Sequence, residues 1–365
     1  MTNKLKYIIQ TVVFALFILL LSLFCVFGKT SDFSDSERRA LDKMPKITLE
    51  SVKNTKFMSD FEEYTLDQFP VRDGFRSVKA FTSKYIFNLS ENNSLYEKDS
   101  YIAKKEYPMN SQSYSYASKK FNFIYEKYFK ENGGNAYIAV IPDKNEFLGE
   151  LKIDKNEVQA HFERESSYAE LIDIYPCLSK DCYYYTDTHW KQEEIIPAAS
   201  LIAESMGTSI PKEYEKELAK ESFEGVYYGQ YALPNKKDEI YFLTNDIIDS
   251  FKVYEHLDTE NKREMNLYVK EKLDGKDPYE SYLGGSLSLI TIENPKAGND
   301  KELVIFRDSF GSSIAPLIAQ GYSKVTLVDI RYISSAVLDK FIDTENADVL
   351  FLYSNLVLNN SNTLK

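Results

Sequence analysis

The sequence predicts an α/β fold, a parallel sheet covered by helices on both faces and preceded by one membrane-spanning helix. Three observations predict it. The last third of the chain alternates short, continuously apolar runs with helical patterns, as buried parallel strands and their crossover helices do. A similar run, AYIAVI, stands at Ala136–Ile141. The stretch from Tyr7 to Phe27 is 21 residues without a charge, long enough to cross a bilayer as a helix.

Taken in order, the apolar run comes first. Its exit, Val26-Phe27-Gly28-Lys29, lacks the small-residue pattern of a cleavage site, so it reads as an uncleaved anchor. Phe24 is too bulky for lipoprotein processing at Cys25, which reads as lipid-facing. Lys4 and Lys6 precede the span while Lys29, Arg38 and Arg39 follow it, a near tie. A short tail before a large domain places the tail in the cytoplasm and the domain outside. The expected division is tail and anchor at 1–28, a polar juxtamembrane stalk at 29–60, and one extracytoplasmic domain at 61–365.

Within that domain, 61–87 reads as helical, interrupted at Pro70 in DQFPVRDGF, and 111–131 as a helix. Asn132-Gly133-Gly134 leads into the strand Ala136–Ile141, which Pro142 ends. A helix is expected from Trp190 to Met206, closed by Gly207. Residues 210–282 are mixed and acidic and receive no assignment. Then come a strand at 302–306, a turn Arg307–Gly311, a helix at 312–320, a strand at 324–328, a helix at 333–341 and a strand at 348–353. No internal repeat is present. In such sheets ligands bind beyond the carboxyl ends of the strands. Pro142-Asp143-Lys144, Arg307-Asp308-Ser309 and Asp329-Ile330-Arg331 all fall there.

Composition narrows the partners. With 44 basic and 56 acidic residues the net charge is −12, which argues against nucleic acid or an anionic lipid surface as the main partner. The 28 tyrosines suit a wet, hydrogen-bonding surface such as meets sugars, and equally suit ordinary packing. Of the three histidines, His161 and His256 stand in no ligand spacing, so neither metal nor cofactor is expected. Cys177 and Cys182 are close enough in sequence to form a small disulfide loop in an oxidising compartment, or to remain a reduced pair.

The chain's only tryptophan and one of its three histidines meet in DCYYYTDTHWKQEE, at 181–194. Asp187 and His189, two residues apart, are able to supply an orienting acid and a base; a tyrosine-rich strand end with a structural histidine is the other reading. Ser309 follows a buried strand and opens a helix, where free backbone N–H groups and the helix dipole favour an oxyanion. Taken alone it reads as an N-cap. Gly311 would let the backbone approach a substrate closely.

TDTHW (186–190) followed much later by FRDSFGSS (306–313) resembles the DHHW family and, more broadly, the AlgX/AlgJ type of SGNH-hydrolase-like domain. QFPVRD (68–73) and VIPDK (140–144) are similar to recurring segments of that family. The resemblance implies a three-layer α/β/α fold with the SGNH elements in permuted order. It implies that Asp187 orients, His189 acts as general base and Ser309 attacks. One departure is Thr188, where the family's name-giving motif has a second histidine. Arg331 lies where such folds can place a cation facing the site, or forms a surface ion pair; Lys144 stands likewise. Trp190 packs at the helix start or lines a sugar site. The resemblance further implies a serine O-acetyltransferase or acetylesterase acting on a cell-surface or secreted polysaccharide through an acetyl-serine intermediate. A membrane-bound O-acyltransferase is the implied partner. The alternative is a catalytically silent glycan-binding or scaffold protein of a polysaccharide export or modification complex.

Overall fold

The continuous apolar runs become neighbouring strands, because each carries side chains on both faces that must leave water. The computed structural model describes residues 3–149 and 151–365, so the first two residues of the expected tail lie outside the described residues. The chain divides into two units, one running to Asn93 and including Tyr228–Pro234, the other made of Ser94–Tyr227 and Asn235–Lys365.

The first unit opens with helix α1, Asn3–Phe27. Its segment Lys4–Cys25 is long and apolar enough to cross a membrane, and none of it is buried in the protein. Residues 29–60, expected as a stalk, instead fold. Phe33–Ser34 pairs with Arg39–Ala40, Leu49–Lys53 forms a short helix, and α2 spans Lys56–Asp67. After Pro70 comes α3, Arg72–Phe81. Polar groups hold this unit together. Asp67 receives both Arg39 NH groups, at 2.8 and 2.5 Å, and the guanidinium holds its carboxyl below the usual carboxylate range. Arg72 and Arg76 both reach Glu37. Hydrophobic periodicity does not register such ties, which is why this stretch reads as a linker in the sequence.

The second unit is built on an eight-stranded sheet. Its elements are the hairpin β1 (Leu95–Lys98) and β2 (Tyr101–Lys104) beside the sheet, α4 (Ser111–Ile124), β3 (Ala136–Ile141), α5 (Lys155–Glu165) and β4 (Glu170–Ile172). Helix α6 (Ile196–Ser205) and the hairpin β5 (Glu215–Phe223) and β6 (Asp238–Thr244) follow. Then come β7 (Lys252–His256), β8 (Lys262–Met265), β9 (Leu289–Glu293), β10 (Glu302–Arg307), α7 (Gly311–Ile318), β11 (Lys324–Val328) and β12 (Asp348–Ser354). The sheet order is β8-β7-β9-β11-β10-β12-β3-β4. The five strands from β11 to β4 are mutually parallel, the four predicted ones joined by the short, unpredicted β4. Three antiparallel strands extend one edge, β7 and β8 from the unassigned middle and β9 just after it.

Alternation along the strands builds the three layers. Tyr137, Ala139 and Ile141 of β3, with Leu303 and Ile305 of β10, pack among α6 and α7 residues. Ile138, Val140, Val304 and Phe306 pack on the other face among α4 and α5 residues. Two predicted helices shift. Trp190 lies in a bridge with Tyr183 rather than in a helix, and α6 starts at Ile196 with Pro197 in its first turn, where its missing N–H does no harm. The stretch at 333–341 contains only a 3-10 turn, Ser335–Lys340.

His161 of α5 is buried with Nε2 2.9 Å from Ser118 Oγ. Burial, then the nearby Arg164, pushes its pKa below the ordinary 6.5. The unfolded chain therefore binds the proton more readily than the folded one. The stability this neutral imidazole contributes is complete above pH 6.5 and is lost as pH falls through the lowered folded value. Urea unfolding at neutral and at mildly acidic pH should show a falling midpoint, and His161→Gln should flatten that fall. An equally steep fall in the variant would refute the assignment.

Candidate active site

At the carboxyl end of β10 the chain turns sharply into α7. Asp308 builds the turn: Oδ1 accepts the Phe310 N–H at 3.0 Å, and Oδ2 accepts the Ser354 N–H and hydroxyl at 2.8 and 2.6 Å. The last residue of β12 thus pins the turn on β10. Asp308 and Phe310 are buried, whereas Ser309 between them stays partly exposed. Gly311 answers a packing need within the turn. A Cβ there would come within 2.7 Å of Arg307 Cβ, so the glycine makes room for the buried arginine beneath the turn.

His189 stands over Ser309, with Nε2 2.8 Å from Ser309 Oγ. Its Nδ1 lies 2.5 Å from Asp187 Oδ1, which also accepts the His189 N–H at 3.1 Å. The other carboxylate oxygen accepts the Val226 N–H at 2.9 Å. The imidazole contacts two rings. Tyr279 stacks face to face with it at 3.8 Å and 6°, and Phe310 leans against it at 4.8 Å. Tyr279 is itself fixed by a 2.9 Å hydrogen bond between its hydroxyl and Ser313 Oγ. The stacked Tyr279 ring opposes rotation of the His189 ring.

The loop carrying Asp187 and His189 is held from behind by charged groups withdrawn from water. Asp238, at the start of β6, accepts the Tyr185 N–H at 2.7 Å and the Thr186 N–H and hydroxyl at 2.8 and 2.7 Å. Burial pushes its carboxyl pKa up, and those hydrogen bonds pull the other way. The Thr186 hydroxyl accepts the Gly225 N–H at 3.0 Å. A Cβ on Gly225 would sit 2.4 Å from Asp187 Cα, so only glycine lets the connecting segment approach so closely. Thr188, the departure from D-H-H-W, accepts a hydrogen bond from the Tyr227 hydroxyl at 3.2 Å.

Several predicted site residues lie elsewhere than expected. Lys144 is wholly buried and faces no substrate space. Its ammonium donates to the carbonyls of Ile102, Tyr184 and Asp187 at 2.9, 2.8 and 2.5 Å. Burial draws its pKa down to about 8. Trp190 is also wholly buried and lines nothing. Its indole N–H is shared between Phe310 O at 3.1 Å and Ser313 Oγ at 2.9 Å, which fixes the turn after Ser309. Arg331 is engaged by Asp329 through two hydrogen bonds of 2.9 and 2.6 Å. Cys177 and Cys182 are free thiols rather than a disulfide. Cys182 Sγ takes the Ser179 N–H at 3.4 Å and faces Glu194 O at 3.5 Å, a capping geometry that turns it into the protein. Among the described residues no group of His, Cys, Asp and Glu is placed to hold a metal ion.

Tyr279, Asp238, Gly225 and Val226, none anticipated, all come from 210–282. None carries a local signal, since each acts by arriving beside a loop distant in sequence.

The chain shares its fold with two bacterial proteins of known structure. One is a DHHW family protein from Eubacterium siraeum, 18% identical, with a TM-score of 0.61, covering 75% of this chain and 94% of that one. The other is PatB1 of Bacillus cereus, solved with a sulfonyl adduct, 20% identical, with a TM-score of 0.58, covering 72% and 95%. No family model matches the sequence, and no curated protein does.

Proposed function

We propose that this chain is a membrane-anchored, extracytoplasmic serine enzyme that accepts an acetyl group on Ser309 and passes it to a polysaccharide hydroxyl or to water. The observation that carries the reading is the unbroken relay from Ser309 Oγ through His189 to Asp187, at 2.8 and 2.5 Å.

Asp187 holds the proton on Nδ1, leaving the Nε2 lone pair aimed at the serine hydroxyl. Nε2 takes that proton as Oγ bonds to the acetyl carbonyl carbon, and the carbonyl π pair moves onto oxygen. Collapse of the tetrahedral species breaks the ester C–O bond, and the departing alkoxide recovers the proton from His189. In the second half His189 deprotonates a sugar hydroxyl or water, which attacks acetyl-Ser309 and releases the serine. The Ser309 N–H, bonded to no protein acceptor among the described residues, is free to donate to the developing oxyanion. The acetyl and polysaccharide assignments, and a membrane-bound O-acyltransferase as partner, rest on the motif resemblance to the DHHW and AlgX/AlgJ proteins.

A similarly folded protein carries a sulfonyl adduct, so the direct test is covalent capture. The full chain treated with phenylmethanesulfonyl fluoride should gain one adduct, on the Ser309 peptide, and lose acetate release from a chromogenic acetyl ester. A label elsewhere, or ester hydrolysis undiminished by labelling, would overturn the reading.

A further inference from the structure

Helix α3 and the π turn that continues it, Thr82–Ile86, are packed inside out. The face turned inward carries Arg72 and Arg76, which bond to Glu37, and Ala80, which is fully buried. Arg76 also donates to the carbonyls of Gly229 and Gln230 at 3.0 and 3.2 Å. The face turned outward is apolar. Val71, Phe75, Val78, Phe81 and Tyr85 recur at helical spacing and are 78, 52, 62, 54 and 61% exposed. A helix covered by water alone shows the opposite arrangement. Phe75 rests against Phe69, and Phe81 against Tyr85, so rings at both ends of the stripe are in contact with apolar neighbours.

The position of the stripe identifies what covers it. Gln68 clamps Ser31 by both backbone groups, accepting its N–H at 3.0 Å and donating to its carbonyl at 2.9 Å. Ser31 is only four residues beyond Phe27, the end of α1. Even fully extended, that link spans no more than roughly 14 Å. The stripe starts at Val71, three residues after the clamp, so it opens beside the end of the membrane span. The segment 71–87 has four basic residues against one acidic in a chain of net charge −12, and Lys79 and Lys84 flank the apolar side chains. Aromatic and aliphatic groups with lysines at the rim are the composition of a helix lying in a bilayer interface.

We propose that this stripe lies on the outer surface of the bilayer that α1 spans, and that QFPVRD is the clamp that sets it there. The proposal rests on the reading of α1 as a membrane anchor. The stripe is a second, interfacial attachment that removes the swivel a single helix would leave. The bulk negative charge of the chain does not oppose it, because the contact is apolar and its rim is basic.

Tryptophan quenching in full-length protein tests this. The native Trp190 is fully buried and serves as a silent background. Phe81→Trp and, as a control, Leu257→Trp, an exposed residue of the second unit, are reconstituted in vesicles of phosphatidylcholine brominated near the top of its acyl chains. With the protein floating with the vesicles, Phe81→Trp should lose about twofold of its added emission while Leu257→Trp is spared, since an interfacial face enters the acyl boundary. Floating protein with neither tryptophan quenched would overturn the proposal and leave the anchor standing. If emission from Phe81→Trp instead shifted with protein density, the covering partner would be a second copy. Equal quenching of both sites would deny the stripe any special place. Protein that fails to float would remove the anchor reading and this proposal together.

Discussion

Ser309→Ala and His189→Ala should each lower kcat/KM for acetyl ester hydrolysis on the order of 10^4-fold, and the double variant should be scarcely worse than either. Ser309 Oγ and His189 Nε2 are 2.8 Å apart, so each is useless without the other: the hydroxyl is a poor nucleophile unless its proton is taken. Neither change threatens the fold, because Ser309 is partly exposed and an alanine at 189 leaves the backbone bonds of the loop intact. Steady-state kinetics on the three variants and the parent decide the matter. Fold losses that multiply in the double variant would mean that the two residues act separately and that the relay is not one unit.

Lys144→Met should cost about 3 kcal/mol or more of folding stability, and about 100-fold in kcat/KM in whatever fraction folds. Methionine fits the volume but leaves the carbonyls of Ile102, Tyr184 and Asp187 without a donor in a dry interior. The backbone of Asp187 would then drift, and with it the carboxylate that orients His189. Denaturant midpoints and kinetics read the two losses. If the variant does not fold, the wild-type pH profile answers instead. With its pKa near 8, the amine has three N–H donors below that value and only two above it, for three acceptors. The charges facing it are Asp143, Asp187 and Asp238, with Lys191 opposing. Activity should decline on the alkaline side of about pH 8, and a profile flat well beyond that would dismiss Lys144 as a positioning group.

Much of this molecule is legible in its sequence where the signal is local. Strands such as AYIAVI and ELVIFR announce burial on both faces, and the turn after β10 announces a serine at a sheet end. The D-T-H spacing suffices to bring a carboxylate to an imidazole because both belong to one loop. What the sequence conceals is long-range. Asp238 meets Thr186 across 52 residues and Tyr279 reaches His189 across 90, with nothing in KDEI or DPYES to announce either. The edge strands KVYEH and KREM are partly solvated and mixed in polarity, so they carry no continuous apolar run. Lys144 was placed at the right strand end but faces inward, because three carbonyls converge on a spot no periodicity describes.

The strand that leads to Ser309, β10, is flanked in the sheet by β11 and β12, both of which follow it in the chain. The hydroxyl and amide of Ser354, at the end of β12, fasten the turn that presents Ser309. A ribosome therefore delivers the serine before it delivers what shapes the serine's turn. On the proposed function, a chain ended before Ser354 would carry Ser309 on an unfastened turn and would be a poor nucleophile.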